Sequence, residues 1–219
     1  MVLYESKMQK RAIVFIDGNN FYHTLKNSYI RPGSIDVSKV SQLVCEHFNC
    51  ELIRSIYYNS VPSIEDGKDI YYGHMQHLDK VRRYKNFEVK TRKLQRLSNK
   101  EAIVIMNDEI SKLGLCDVCK PIVLTHWKDY IGSVSVKEKG VDNLISLDTI
   151  KFSYIEKECN ACIIISGDAD FIPTLELLKS LGIWCATASA VKGYSYEIRS
   201  KFPWFILDKN LLKNKCSKN

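Results

Sequence analysis

Apolar positions along the 219-residue chain fall into two alternating kinds of segment. Short runs dense in branched residues suit strands buried on both faces, and longer stretches with apolar residues every three or four positions suit amphipathic helices. Arg11–Asp17 (RAIVFID) is the first such run and delivers Asp17 to its C-terminal tip, ahead of Gly18. A helix is predicted from Asn20 to Ser28. Another spans Asp36–Phe48, with Val37, Val40, Leu43, Val44 and Phe48 in helical spacing and Asp36 as N-cap. Leu52–Tyr58 is the second strand. Ile64–Tyr84 is mostly helical, with Ile70, His74, His77, Leu78 and Val81 on neighbouring faces. Phe87–Leu94 alternates as a third strand, with Lys90, Arg92 and Lys93 facing outward. Leu97–Val136 has no sustained period and reads as an insertion containing a short hairpin. Gly140–Lys157 predicts a long, well-buried helix, and Ala161–Ser166 (ACIIIS) is the clearest buried strand. Phe171–Leu181 is a helix stopped by Gly182, followed by a strand at Ile183–Thr187, a short helix at Ser195–Lys201 and a last strand at Trp204–Leu207.

Strands alternating with helices define an α/β protein with a parallel sheet flanked by helices. Such sheets bind ligands outside the carboxyl ends of their strands. The length fits one domain over residues 1–219, interrupted by the insertion at about 97–136. With 45% hydrophobic and 26% charged residues, the composition excludes a disordered chain and a disulfide-dense mini-protein. No apolar run reaches the ~18–20 residues of a membrane span, and the opening MVLYESKMQKR lacks the apolar core of a secretory signal, so the expectation is a cytoplasmic protein with reduced thiols and no membrane contact. The formal charge is +7. Nine basic residues crowd Lys80–Lys100 against Glu88 alone, which fits either a solvated face or a contact with a polyanion through Arg82, Arg83, Lys90, Arg92 and Lys93.

Two predicted strands end in acid. The first leads into Asp17-Gly18-Asn19-Asn20, the other into Ser166-Gly167-Asp168-Ala169-Asp170. Asp142 lies in the first turn of the helix feeding the second strand. If those strands are parallel neighbours, Asp17, Asp142, Asp168 and Asp170 meet at one rim. Clustered carboxylates repel one another unless a cation neutralises them. Hard oxygen ligands, with Asn20 and Ser166 in support, suit Mg²⁺ or Mn²⁺, which activates water and polarises a phosphoryl oxygen. Each acid also has a local alternative as a helix cap or turn residue.

Three blocks carry a family resemblance: IVFIDGNNFYH (Ile13–His23), KEKGVDNLISLD (Lys137–Asp148) and CIIISGDADFIPTLELLKSLG (Cys162–Gly182). They resemble the signature blocks of the NYN domain, in its LabA-like branch, within the PIN-like nuclease superfamily. The likeness runs from about Arg11 to Asp208 and leaves out only Leu97–Val136. It implies a PIN-like (Rossmannoid) three-layer α/β/α fold and metal-dependent ribonuclease chemistry on RNA, with Asp17, Asp142, Asp168 and Asp170 as catalytic acids and metal ligands, and Asn20 and Ser166 as supporting polar residues. Asp148 belongs to the same block. It stands about 120° around the helix from Asp142 and is set outside the metal's ligands.

Cys116-x-x-Cys119 is half of a structural zinc site, with His126 nearby. Zn²⁺ there would need further ligands, for example from the second subunit of a homodimer. Cys159-x-x-Cys162 has the same spacing, but Cys162 opens the most apolar strand, where a thiol packs as a small hydrophobe. His74 and His77, at i and i+3, read as a partly buried helix face. Three functions follow: a Mg²⁺- or Mn²⁺-dependent endoribonuclease acting on single-stranded RNA; a non-catalytic RNA-binding or protein-docking module on the same rim; and a phosphatase using Asp168-x-Asp170, disfavoured because its companion lysine and threonine motifs are missing.

Overall fold

The computed structural model describes residues 9–64, 67–96, 99–123, 136–137 and 140–218. A six-stranded sheet forms the middle layer. Its strands are β1 (Lys10–Asp17), β2 (Cys50–Val61), β3 (Phe87–Lys93), β6 (Ala161–Ile165), β7 (Trp184–Ala190) and β8 (Trp204–Leu207), in the spatial order β3-β2-β1-β6-β7-β8, all parallel. A two-stranded antiparallel pair, β4 (Gln95–Arg96) with β5 (Val136–Lys137), closes the mouth of the insertion.

Alternation along β1 sorts its side chains between two cores. Ala12, Val14 and Ile16 join α1 (Gly18–Asn27), α2 (Val37–His47), α3 (Lys68–Arg82) and the C-terminal α8 (Lys209–Cys216). Ile13 and Phe15 face the other layer, built by α5 (Val141–Ile150), α6 (Ile172–Ser180) and α7 (Tyr196–Lys201). The result is the three-layer α/β/α sandwich that the sequence implies.

Asp36 caps α2 as predicted, accepting from the Ser38 and Lys39 N–H groups. Three elements depart from the sequence reading. The insertion holds a helix, α4 (Asn99–Lys112), whose Ile110 is buried while Val104 is exposed. The long helix expected over 140–157 ends at Ile150 and relaxes into a wider turn, with Glu156 N–H bonded to the Lys151 carbonyl. Finally, α8 is an element the apolar pattern does not reveal. Asp208 caps it, and Asp36 N–H reaches the Cys216 carbonyl at 2.7 Å, which ties its end to the start of α2.

Candidate active site

The register of the central strands decides the site. Ile16 of β1 lies beside Ile165 of β6, so Asp17 and Ser166 leave adjacent strands at the same level. Asp17 ends β1 and caps α1. Its Oδ1 accepts from Asn20 N–H at 3.0 Å, and its Oδ2 accepts from Ser166 Oγ at 3.3 Å. Only 5% of Asp17 is exposed. The turn depends on Gly18, because a Cβ there would overlap the Tyr57 ring and press the Tyr58 carbonyl.

Ser166 joins the two acidic turns. Asp168 N–H donates to Ser166 Oγ at 3.3 Å, and Asp168 Oδ1 in turn accepts from Asp170 N–H at 3.0 Å. Asn20 spans the same gap, its side-chain oxygen accepting from Gly167 N–H at 3.3 Å. Asp17, Asn20, Ser166 and Asp168 thus form one bonded set at the rim.

Asp142 and Asp170 take another position. Both line a cleft of about 640 Å³ between α5, α6 and α7, together with Asn143, Ser146, Glu176, Glu197 and Lys201. Lys201 bridges Glu176 at 2.9 Å and Glu197 at 3.1 Å, which raises its pKa above the ordinary lysine value. Asp17 and Asp168 are thus joined through Ser166, Asp170 follows through its N–H to Asp168 Oδ1, and Asp142 faces Asp170 along the cleft. Among the described residues, no group of three or more His, Cys, Asp or Glu side chains stands close enough to hold a metal ion.

A profile of the NYN domain matches residues 11–207, almost the whole span of the sheet. The chain belongs to the NYN domain family. Its fold is accordingly that of the PIN-like nucleases. The crystal structure of a Vibrio parahaemolyticus protein of unknown function is similar in architecture, with a TM-score of 0.56, 15% sequence identity, and coverage of 95% of this chain and 99% of that one. No curated protein matches.

The basic residues of this NYN domain do not form one track. α3 runs antiparallel to β3, so Arg82 and Arg83, at its C-terminus, sit at the end of the sheet remote from the acids. Arg92 and Lys93, at the C-terminal tip of β3, pair in register with Ser60 and Val61 and lie on the acidic side, both exposed. Lys90 turns to the layer of α5. Its Nζ is 2.7 Å from Asp148 Oδ2, and Asp148 also accepts from the Tyr58 hydroxyl at 2.8 Å. This corrects the outward reading of Lys90: its ammonium neutralises a buried carboxylate. Burial and the Asp148 charge push the Tyr58 phenol well above its ordinary pKa. The one sequence signal for this network was the second aspartate of the Lys137–Asp148 block, and its partners lie 58 and 90 residues away.

All eight cysteines are free thiols. Cys116 and Cys119 are exposed and joined by a turn bond from Cys119 N–H to the Cys116 carbonyl. His126 lies outside the described residues. Cys159, Cys162 and Cys185 are buried in the core beneath α5 and α6. His74 Nε2 is 2.9 Å from Asn59 Oδ1, and burial lowers the pKa of both His74 and His77. The described helices include none long and apolar enough to cross a membrane.

Proposed function

We propose that this NYN domain is a divalent-metal-dependent endoribonuclease that hydrolyses phosphodiester bonds of single-stranded RNA. The observation that carries the reading is the bonded set of Asp17, Ser166 and Asp168 at the carboxyl ends of β1 and β6, where parallel sheets bind ligands.

The donors fit a hard cation. They are oxygens throughout, and Mg²⁺ or Mn²⁺ needs only one or two carboxylates, with water completing its octahedron. Asp17 and Asp168 would hold the ion. When bound, it would supply positive charge beside the scissile phosphate and lower the pKa of an attacking water. Ser166 orients Asp17, and Asn20 fixes the Gly167 loop so that Asp168 keeps its place. Asp142 and Asp170 border the cleft into which one side of the scissile bond would pass, and can accept protons from water there. Arg92 and Lys93 would bind the phosphates of the flanking strand. A structural zinc at Cys116 and Cys119 would still require ligands from elsewhere, such as a partner subunit.

The alternative reading is an RNA-holding or protein-docking module without catalysis on the same rim. Incubation of the purified chain with single-stranded RNA and DNA, in Mn²⁺, Mg²⁺ or EDTA, separates the two. RNA cleavage that needs metal and disappears in Asp17→Asn supports the nuclease. Equal cleavage by an Asp17→Asn/Asp168→Asn double variant marks a contaminant and removes the assignment. Metal-insensitive binding without cleavage leaves the module.

A further inference from the structure

We infer that Tyr29, Lys192 and Tyr196, grouped around the loop that follows β7, form a base-stacking surface for single-stranded nucleic acid on the side of the acids opposite Arg92 and Lys93. The inference rests on the nuclease reading only for its ligand class. The surface itself follows from the loop's anchoring and from the backbone of Tyr29.

The loop is clamped. A Cβ on Gly167 would overlap the Gly193 carbonyl, and the Thr24 methyl occupies the place of a Cβ on Gly193, whose φ is +112°. Ser195 N–H donates to the Gly167 carbonyl at 2.8 Å. Residues 191–195 are therefore wedged between α1 and the turn carrying Asp168. Tyr196 follows at once, as the first residue of α7, with 80% of its surface exposed.

Tyr29 sits on the other flank of that loop. α1 closes with Ile30 N–H bonded to the Leu25 carbonyl and Tyr29 N–H to the Lys26 carbonyl, both at 3.0 Å, the double bond of a Schellman motif. The motif puts Tyr29 in the left-handed region, at φ 56°, where glycine or asparagine is usual and a bulky residue costs stability. The ring returns nothing to the core, since 78% of the residue is exposed. Lys192 Nζ stands 5.2 Å from the ring centroid, and Lys192 N–H reaches Ser28 Oγ at 3.4 Å. The Tyr29 ring is thus exposed at a left-handed position with a cation beside it. It matches the combination of ring and charge by which single strands are held.

Topology then orders the parts. In the sheet order β3-β2-β1-β6-β7, the acids of β1 and β6 lie between Arg92 and Lys93 at the tip of β3 and the tyrosines beside the tip of β7. A strand crossing the rim would keep its phosphates on the first and its bases on the second. Paired bases of a duplex could not stack there.

The test is binding of a fluorescent single-stranded RNA to the full chain in EDTA, so that cleavage does not enter. Tyr29→Gly should melt about 2–4 °C higher than the parent, because glycine relieves the left-handed position. The same variant should bind RNA roughly 5- to 50-fold more weakly, while Tyr29→Trp keeps affinity. Tyr196→Ala should weaken binding in the same range. An oligonucleotide with abasic residues in place of nucleotides should bind the parent and Tyr29→Gly alike. Unchanged RNA affinity in folded Tyr29→Gly and Tyr196→Ala overturns the inference and leaves the patch to a protein partner. An equal loss with the abasic strand also overturns it, since the contact would then be to the backbone. Metal-dependent cleavage by the parent is scored separately, so failure of the nuclease reading and failure of this surface give different results.

Discussion

Lys90 and Asp148 meet across the boundary between sheet and helix, with Nζ 2.7 Å from Oδ2 and the Tyr58 hydroxyl on the same oxygen. The bond fastens the helix that carries Asp142 to β2 and β3. In the register of the sheet, Asp17, Tyr58 and Lys90 stand level on three neighbouring strands. The helix that carries Asp142 is therefore held by a charge pair on an edge strand two strands away from Asp17.

Removing one member of that pair should destabilise the fold. Lys90→Met leaves the Asp148 carboxylate buried with the Tyr58 phenol as its partner among the described residues. Breaking a fully buried pair costs about 3–5 kcal/mol, and because the Lys90 side chain keeps 22% exposure the expected loss is nearer ~2 kcal/mol. Urea unfolding measures it. RNA affinity should stay within twofold of the parent, and a large drop with unchanged stability would return Lys90 to the RNA contacts.

Asp17→Asn and Asp168→Asn should separate folding from chemistry. Asparagine caps a helix about as well as aspartate, so stability should stay within about 1 kcal/mol. Cleavage should fall roughly 100-fold or more, because an amide neither carries the ligand's charge nor replaces it. Metal should also stabilise the parent, by about 2.7 kcal/mol at a hundredfold excess over its dissociation constant, a rise on the order of 5–10 °C in Tm. Neither variant should show that rise. A parent melt indifferent to millimolar Mn²⁺ counts against the metal site.

RNA binding should weaken with salt through counterion release, with a slope of roughly −0.7 per phosphate neutralised on a single strand. Arg92→Ala with Lys93→Ala should flatten the slope by about 1.4. Arg82→Ala with Arg83→Ala should leave it unchanged, because those residues precede β3, which spans roughly 20 Å from its start to Lys93. Equal effects from the two pairs would mean that RNA wraps the sheet edge instead of crossing the rim.

Stability should rise with pH across the histidine range. Burial lowers the pKa of His77, with Lys218, His74 and Lys80 adding to the effect, while the ring packs on Tyr57. Below the ordinary value of about 6.5, the unfolded chain takes up a proton that the folded chain resists, so folding weakens as pH falls into that window and is unaffected above it. His77→Gln should reduce this dependence in melts between pH 5.5 and 7.5. An identical pH profile for parent and variant would refute the assignment.

Local chemistry was legible in the sequence. Branched runs placed the six strands of the sheet, the Asp36 cap announced α2, and the acids after β1 and β6 pointed to the carboxyl end of a parallel sheet, because each signal depends on a few consecutive residues. α4 and α8 were not legible in this way. Ile110 anchors one, and the other is held by bonds to a segment 180 residues distant, such as Asp36 N–H to the Cys216 carbonyl.

Tertiary structure alone decided the rest. A strand pattern states that residues are buried but not which strand lies beside them, so only the pairing of Ile16 with Ile165 brings Asp17 to Ser166. The antiparallel return of α3 carries Arg82 and Arg83 to the far end of the sheet, although Lys93 follows Arg83 by ten positions in sequence. Lys90, outward by alternation, turns to Asp148 because a buried carboxylate 58 residues away needs a counter-charge. The sequence by itself determined which residues could do chemistry at the rim. The packing of helices on the sheet decided which of them stand together, because distance in space is set by register and layer order and not by spacing along the chain.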